Sequence, residues 1–209
     1  MPLWIKPDNK LSLEDVMGLM RDYYQGTPMD MTKDVGAGPY ANTVRWRPMS
    51  WKVDGKSYLH ERAISTQQTG FSFVTQSRSW LPDPVGGIIW FGVDDTYYTV
   101  YTPMYCGITA VPHSFAVGNG DMMTYSADAA FWVFNEVTNF VYSRASVMTP
   151  ELQAKQQELE RKYMSETAEI DARAAELFNS TAKGAAKKGS ELITGYSVTA
   201  GDNTVKEWR

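Results

Sequence analysis

The chain has one cysteine, Cys106, in "YTPMYCGI", with His113 seven residues on. A thiol becomes a nucleophile when a base or a positive neighbour draws off its proton. The flanks of Cys106 are aromatic and small, so it reads as a buried, inert thiol. Arg78 in "TQSR" carries a planar fork that suits a carboxylate. It is therefore a candidate for substrate binding, and alternatively a structural ion-pair partner at a strand end. Asp94 and Asp95 lie between two strand candidates and read as turn formers. "GNGD" at 118–121 either presents Asn119 and Asp121 to a ligand or forms a tight loop into the next helix.

Several chemistries find no support. The two histidines, His60 and His113, have no HExxH or CxxC spacing around them, so neither a metal site nor a cofactor is expected. A serine-hydrolase G-x-S-x-G is missing. "DGKS" at 54–57 resembles the end of a phosphate-binding loop, but Ser50 stands where its glycine is needed. "NST" at 179–181 falls inside an expected helix and carries no weight as a glycosylation site.

The elements that must position these residues are of both kinds. "LSLEDVMGLMRDYYQG" reads as a helix with Ser12 as N-cap, Asp15 completing a capping box, Val16, Leu19, Met20 and Tyr23 on one face, and Gly26 ending it. Residues 27–51 have no period and read as a long ordered loop. Strands are expected over Tyr58–Ser65, Phe71–Ser77, Ile88–Val93 and Tyr97–Thr102, joined by hairpin-like connections into an antiparallel meander. "IIWFGV" is apolar on both faces and should be central. A buried helix capped by Ser126 follows, over about 126–148. A longer one starts at Thr149 and Pro150, with a stripe of Leu152, Leu159, Tyr163, Ile170, Ala174 and Leu177. Glu151–Lys155, Glu158–Lys162 and Glu169–Arg173 are spaced as ion pairs on its outer side, and a helix–turn–helix closes the chain.

Composition sets the outer bounds. At 209 residues, 43% apolar and 21% charged, the chain suits one substantial α+β domain, with the sheet core at about 40–108 and a helical layer at about 126–209. A net charge of −4 and the lack of a basic stripe exclude nucleic acid as a partner. No apolar run approaches the roughly 18 residues that a membrane span needs. The N-terminus has no signal-peptide h-region, and nothing fixes the compartment.

Three long segments carry a resemblance: "ERAISTQQTGFSFVTQSRSWLPDPVGGIIWFGVDDTYYTVYTPMYCGIT", "GNGDMMTYSADAAFWVFNEVTNFVYSR" and "DVMGLMRDYYQGTPMDMT". They resemble the later portion of the C69 (formerly U34) dipeptidases, which belong to the N-terminal nucleophile (Ntn) hydrolases. The resemblance covers essentially the whole chain. It implies part of a four-layer αββα sandwich and hydrolysis of dipeptides. It also implies a cysteine nucleophile at the mature N-terminus, with its own α-amino group as base. Here Met1 and Pro2 open the sequence and no early cysteine follows. The expectation is a C-terminal portion with no catalytic residue of its own, inactive alone, whose partner is the missing N-terminal half. Self-association is a further expectation. The alternatives are a non-catalytic binding or scaffolding domain of that fold, and an enzyme using Cys106 with His113.

Overall fold

The computed structural model describes residues 3–44, 50–59 and 62–209. Helix α1 (Leu13–Met20) starts where its capping box predicts: the Ser12 hydroxyl accepts from Asp15 N at 3.1 Å, and Ser12 N donates to Asp15 at 2.8 Å. It ends at Met20 with Arg21 as C-cap, short of Gly26, and the chain takes a left-handed backbone at Tyr24. The buried face is centred on Met17, with Val16 and Met20 beside it, and Leu19 points outward.

Residues 50–59 form a separate hairpin, β1 (Ser50–Val53) and β2 (Lys56–Leu59). Its turn is Asp54-Gly55, both at positive φ, the pair that a tight hairpin turn prefers. This gives "DGKS" a role in turn geometry. The strand expected over Tyr58–Ser65 stops at Leu59; residues 60 and 61, His60 included, lie outside the described residues. The main sheet has three antiparallel strands in the order β3 (Phe71–Ser77), β4 (Gly87–Val93), β5 (Thr102–Tyr105), with "IIWFGV" central as expected. The short helix α2 (Asp83–Gly86) makes the turn between β3 and β4.

The strand expected over Tyr97–Thr102 is displaced, and β5 begins at Thr102. The reason lies in helix α4 (Ala145–Asn179). Gln156 donates to the carbonyls of Tyr97 (3.1 Å) and Thr99 (2.6 Å), and Glu160 accepts from Tyr101 N at 2.9 Å. Arg21 donates to the carbonyls of Thr96 and Thr99, both at 3.2 Å, and pairs with Glu160 at 2.5 Å. With its backbone groups bonded to side chains, the segment has no need of a strand partner. It runs through the interior with Tyr98, Thr99, Val100 and Tyr101 buried.

Helix α3 (Ala130–Ser143) begins after Ala129, three residues later than a Ser126 cap implies. Arg144 breaks it, and α4 runs unbroken from Ala145 to Asn179. Thr149 and Pro150 therefore sit inside α4, not at its start. The local cap signal is overridden because Ser146 N finds the Tyr40 carbonyl at 2.9 Å, which anchors the true N-terminus. The Thr149 hydroxyl is used instead by Tyr98, at 3.1 Å. The expected stripe is buried from Leu152 to Ala174, and it includes Gln156, Glu160 and Thr167, which sequence periodicity passed over. On the outer side Lys155 pairs with Glu158 and Glu207.

The expected helix–turn–helix is one helix, α5 (Ala185–Trp208), folded back along α4. Its glycines do not break it. A Cβ at Gly201 would lie 2.4 Å from the Pro112 ring, so this glycine is a packing contact. The architecture is α+β: helices α3, α4 and α5 pack on an antiparallel sheet. No helix among the described residues is long and apolar enough to cross a membrane.

The Arg21–Glu160 pair is largely buried, at 16% and 6% exposure. Removing one partner of such a pair strands the other charge. A Glu160→Ala variant is expected to lose about 3–5 kcal/mol in denaturant unfolding.

Candidate functional site

Between α3, the loop before β1 and the residues after β4 lies a cavity of about 310 Å³. Its charged group is Asp94. The loop contributes Asn42 and Val44, and α3 contributes Asn135, Asn139 and Tyr142. The long loop over 27–44 is thus ordered and packs over the core, with Asp30, Asn42, Thr43 and Val44 buried.

Asp94 and Asp95 are not surface turn formers. Asp94 is 3% exposed and Asp95 fully buried. They enter the interior because the chain after β4 turns there: Asp94 N donates to the Gly70 carbonyl at 3.0 Å, and Asp94 has φ 69°. A left-handed backbone is uncommon outside glycine, though Asp and Asn tolerate it best. The two carboxylates then diverge. Asp95 accepts from Ser65 Oγ (2.7 Å), Tyr142 OH (2.7 Å) and Tyr97 N (3.1 Å). Asp94 Oδ2 is buried with no hydrogen-bond partner among the described residues, as is Thr138 Oγ1 nearby.

Burial raises the Asp94 pKa to about 6, and the neighbouring Asp95 charge adds to this; the Thr138 hydroxyl, near Asp94 but outside hydrogen-bond geometry with Oδ2, and the Asp95 N–H oppose it. Burial also raises Asp95, against its three donors. Tyr142 is pushed up by burial and by the Asp95 charge, so it stays a protonated donor. The site therefore holds one satisfied carboxylate and one with an open acceptor, an arrangement that favours a cationic or hydrogen-bond-donating ligand.

The wall on α3 is a polar stripe on a mostly apolar helix: Asn135, Thr138, Asn139 and Tyr142 recur at i, i+3, i+4 and i+7. Asn135 Nδ2 donates to the Phe131 carbonyl and Asn139 Nδ2 to that of Asn135, both at 2.7 Å. Each amide nitrogen is held on the helix, and each Oδ1 remains an acceptor. That stripe was the one sequence signal for this wall. Asn42 gave none; its Nδ2 donates to the Tyr142 carbonyl at 3.0 Å and its Oδ1 accepts from Val44 N.

The other candidates lie elsewhere. Arg78 is buried at the end of β3, paired with Asp171 of α4, and donates to the carbonyls of Val85 (2.7 Å) and Gly86 (3.4 Å). Asp171 also accepts from Tyr105 OH at 2.7 Å. Cys106 is exposed, against the expectation of burial. β5 ends at Tyr105, and Sγ rests over Gly87, where a Cβ would approach it to 2.9 Å. His113, in a short 3₁₀ turn, forms no hydrogen bond or ion pair with Cys106. Asn119 ties the carbonyls of His113 and Asp128 together, and Asp121 accepts from Met123 N and Thr124 N. Those bonds account for the 118–121 loop. No cluster of metal-ligating side chains occurs among the described residues.

A raised carboxyl pKa means that the unfolded chain gives up this proton more readily. The Asp94 contribution to stability is full below pH 4 and is lost as the pH rises through 6, by up to about 3 kcal/mol. Asp94→Asn keeps the backbone tolerance and removes the charge. It is expected to raise Tm at pH 8 and to leave it nearly unchanged at pH 4; an equal shift at both would refute the buried charge.

No curated protein matches the chain. A protein-family model does: that of peptidase family C69 matches residues 1–158, which include Asp94, Asp95, Cys106 and all of α3. On the extent of that match, three-quarters of its length, the chain belongs to peptidase family C69.

Proposed function

We propose that this chain is part of a cysteine-nucleophile, Ntn-type dipeptidase whose nucleophile lies outside these 209 residues, and that the chain alone is inactive. Peptidase character follows from the family. The observation that carries the finer reading is Cys106, the only thiol in the sequence. It is exposed and joined to no base among the described residues, so the machinery of a self-contained cysteine peptidase is not assembled around it.

The outer face of the sheet supports a missing neighbour. Phe71 and Phe73 stack on one face of the edge strand β3 at 60% and 49% exposure, and Trp80 beyond its end is 77% exposed. An uncovered aromatic face beside an open strand edge favours an absent packing partner over a self-sufficient scaffold, whose surface would be polar there. In this reading that partner is the half of the protein that carries the nucleophile.

Arg78, the candidate for a substrate carboxylate, already has its charge met by Asp171. Arg78→Ala is expected to lower stability. A fall in kcat/KM at unchanged stability, measured in the full-length protein that carries the nucleophile, would restore its substrate role.

The test of the main reading is amino-acid release from dipeptides. No release is expected from the 209-residue chain. Release is expected when the chain is joined to the missing upstream half that carries the N-terminal cysteine, and Cys106→Ala should leave that rate unchanged. Hydrolysis by the 209-residue chain that disappears with Cys106→Ala would overturn the proposal.

A further inference from the structure

We propose that the cavity beside Asp94 binds the free α-ammonium group of the peptide substrate, an inference that rests on the peptidase reading for the identity of the ligand. The geometry selects a primary ammonium. Asp94 brings a carboxylate oxygen, 97% of the residue being buried, with no hydrogen-bond partner among the described residues. Asn135 and Asn139 bring amide oxygens whose nitrogens are already committed to helix carbonyls. An –NH₃⁺ group has three donors and no acceptor, which matches the three lining oxygens of Asp94, Asn135 and Asn139; Gln67 and Ser143 complete the polar rim.

Charge points the same way. No lysine or arginine among the described residues lines the cavity. A neutral donor would leave that charge uncompensated, whereas an ammonium both pairs with it and bonds to it. The neighbouring carboxylate does not compete for the ligand, because Ser65, Tyr97 and Tyr142 saturate Asp95. Tyr142, whose hydroxyl is spent on Asp95, serves as wall and not as donor. The backbone strain at Asp94 and its open acceptor thus meet in one residue, as is common where function holds a side chain against its stability preference.

The size of the cavity suits a small ligand end. About 310 Å³ holds an amino-terminal residue with its ammonium, at the lower limit of small-molecule sites. A ligand lacking the free amine would place an amide where a cation is wanted. The inferred pocket therefore makes the site an exopeptide reader, counting from the amino end.

The experiment measures binding, not hydrolysis, on the 209-residue chain. Alaninamide, Ala-Ala and N-acetyl-alaninamide are titrated into the wild type, Asp94→Asn and Asn139→Leu, and followed by calorimetry or by NMR shifts. Alaninamide and Ala-Ala should bind the wild type, and N-acetyl-alaninamide at least about tenfold more weakly, the loss of one charged hydrogen bond. Asp94→Asn should weaken the two amines by a similar factor, and Asn139→Leu, on the exposed side of α3, should weaken them less while remaining folded. Equal binding of the acetylated and free amines, binding unaffected by Asp94→Asn, or no binding by either amine would overturn the inference. Amine binding at Asp94 in a family member that hydrolyses no dipeptide would instead sink the dipeptidase reading and leave the ammonium site standing.

Discussion

The rest of the structure depends on how the backbone of residues 96–101 is satisfied without a neighbouring strand. Helix α4 supplies Gln156 and Glu160 one turn apart, and Arg21 closes the arrangement from α1. An interior segment of irregular backbone is otherwise expensive, because each unpaired peptide group costs about 1–3 kcal/mol. Once those groups are met, the chain can turn inward after β4, and Asp94 and Asp95 follow it into the core. The site is a by-product of that solution.

The same helix repeats the device further along. Asp171 takes Arg78 from the end of β3 and Tyr105 from the end of β5, and Thr167 lends its carbonyl to the same phenol at 3.3 Å. Tyr163 OH meets Thr204 of α5 at 2.6 Å. One face of α4 is thus a mixed stripe, with Leu159, Ile170 and Ala174 filling volume between polar groups that fix register. Apolar packing alone would let a smooth helix slide along a sheet; these polar contacts allow one position.

What could be read from the sequence was local. The Ser12 box, the bounds of β3 and the central place of β4 follow from neighbours within a few residues, and the structure has them all. The failures share a cause. Tyr97–Thr102 has the composition of a strand, but side chains nearly sixty residues away take its hydrogen bonds. Thr149 and Pro150 make a good start signal, but a carbonyl from the loop at Tyr40 moves the start to Ala145. Asp94 and Asp95 look like a turn because aspartate favours turns for backbone reasons. The turn is real, and its burial is a tertiary fact. The polar stripe on α3 could have been noticed, since four polar residues at helical spacing on a mostly apolar helix need something to face.

The length of α4 sets a schedule. The family match ends at residue 158, yet Glu160 and Asp171, the counter-ions of Arg21 and Arg78, lie beyond it. During synthesis both arginines leave the ribosome well before the carboxylates that neutralise them. Tyr105 and its partner Asp171 alone are 66 positions apart, about 3–13 s of translation. Over that interval the three-stranded sheet is without the helix that holds its ends. The nascent chain must wait, partly formed, for its own C-terminal hairpin, so a premature stop in α4 before Glu160 would leave two buried cations without their carboxylates.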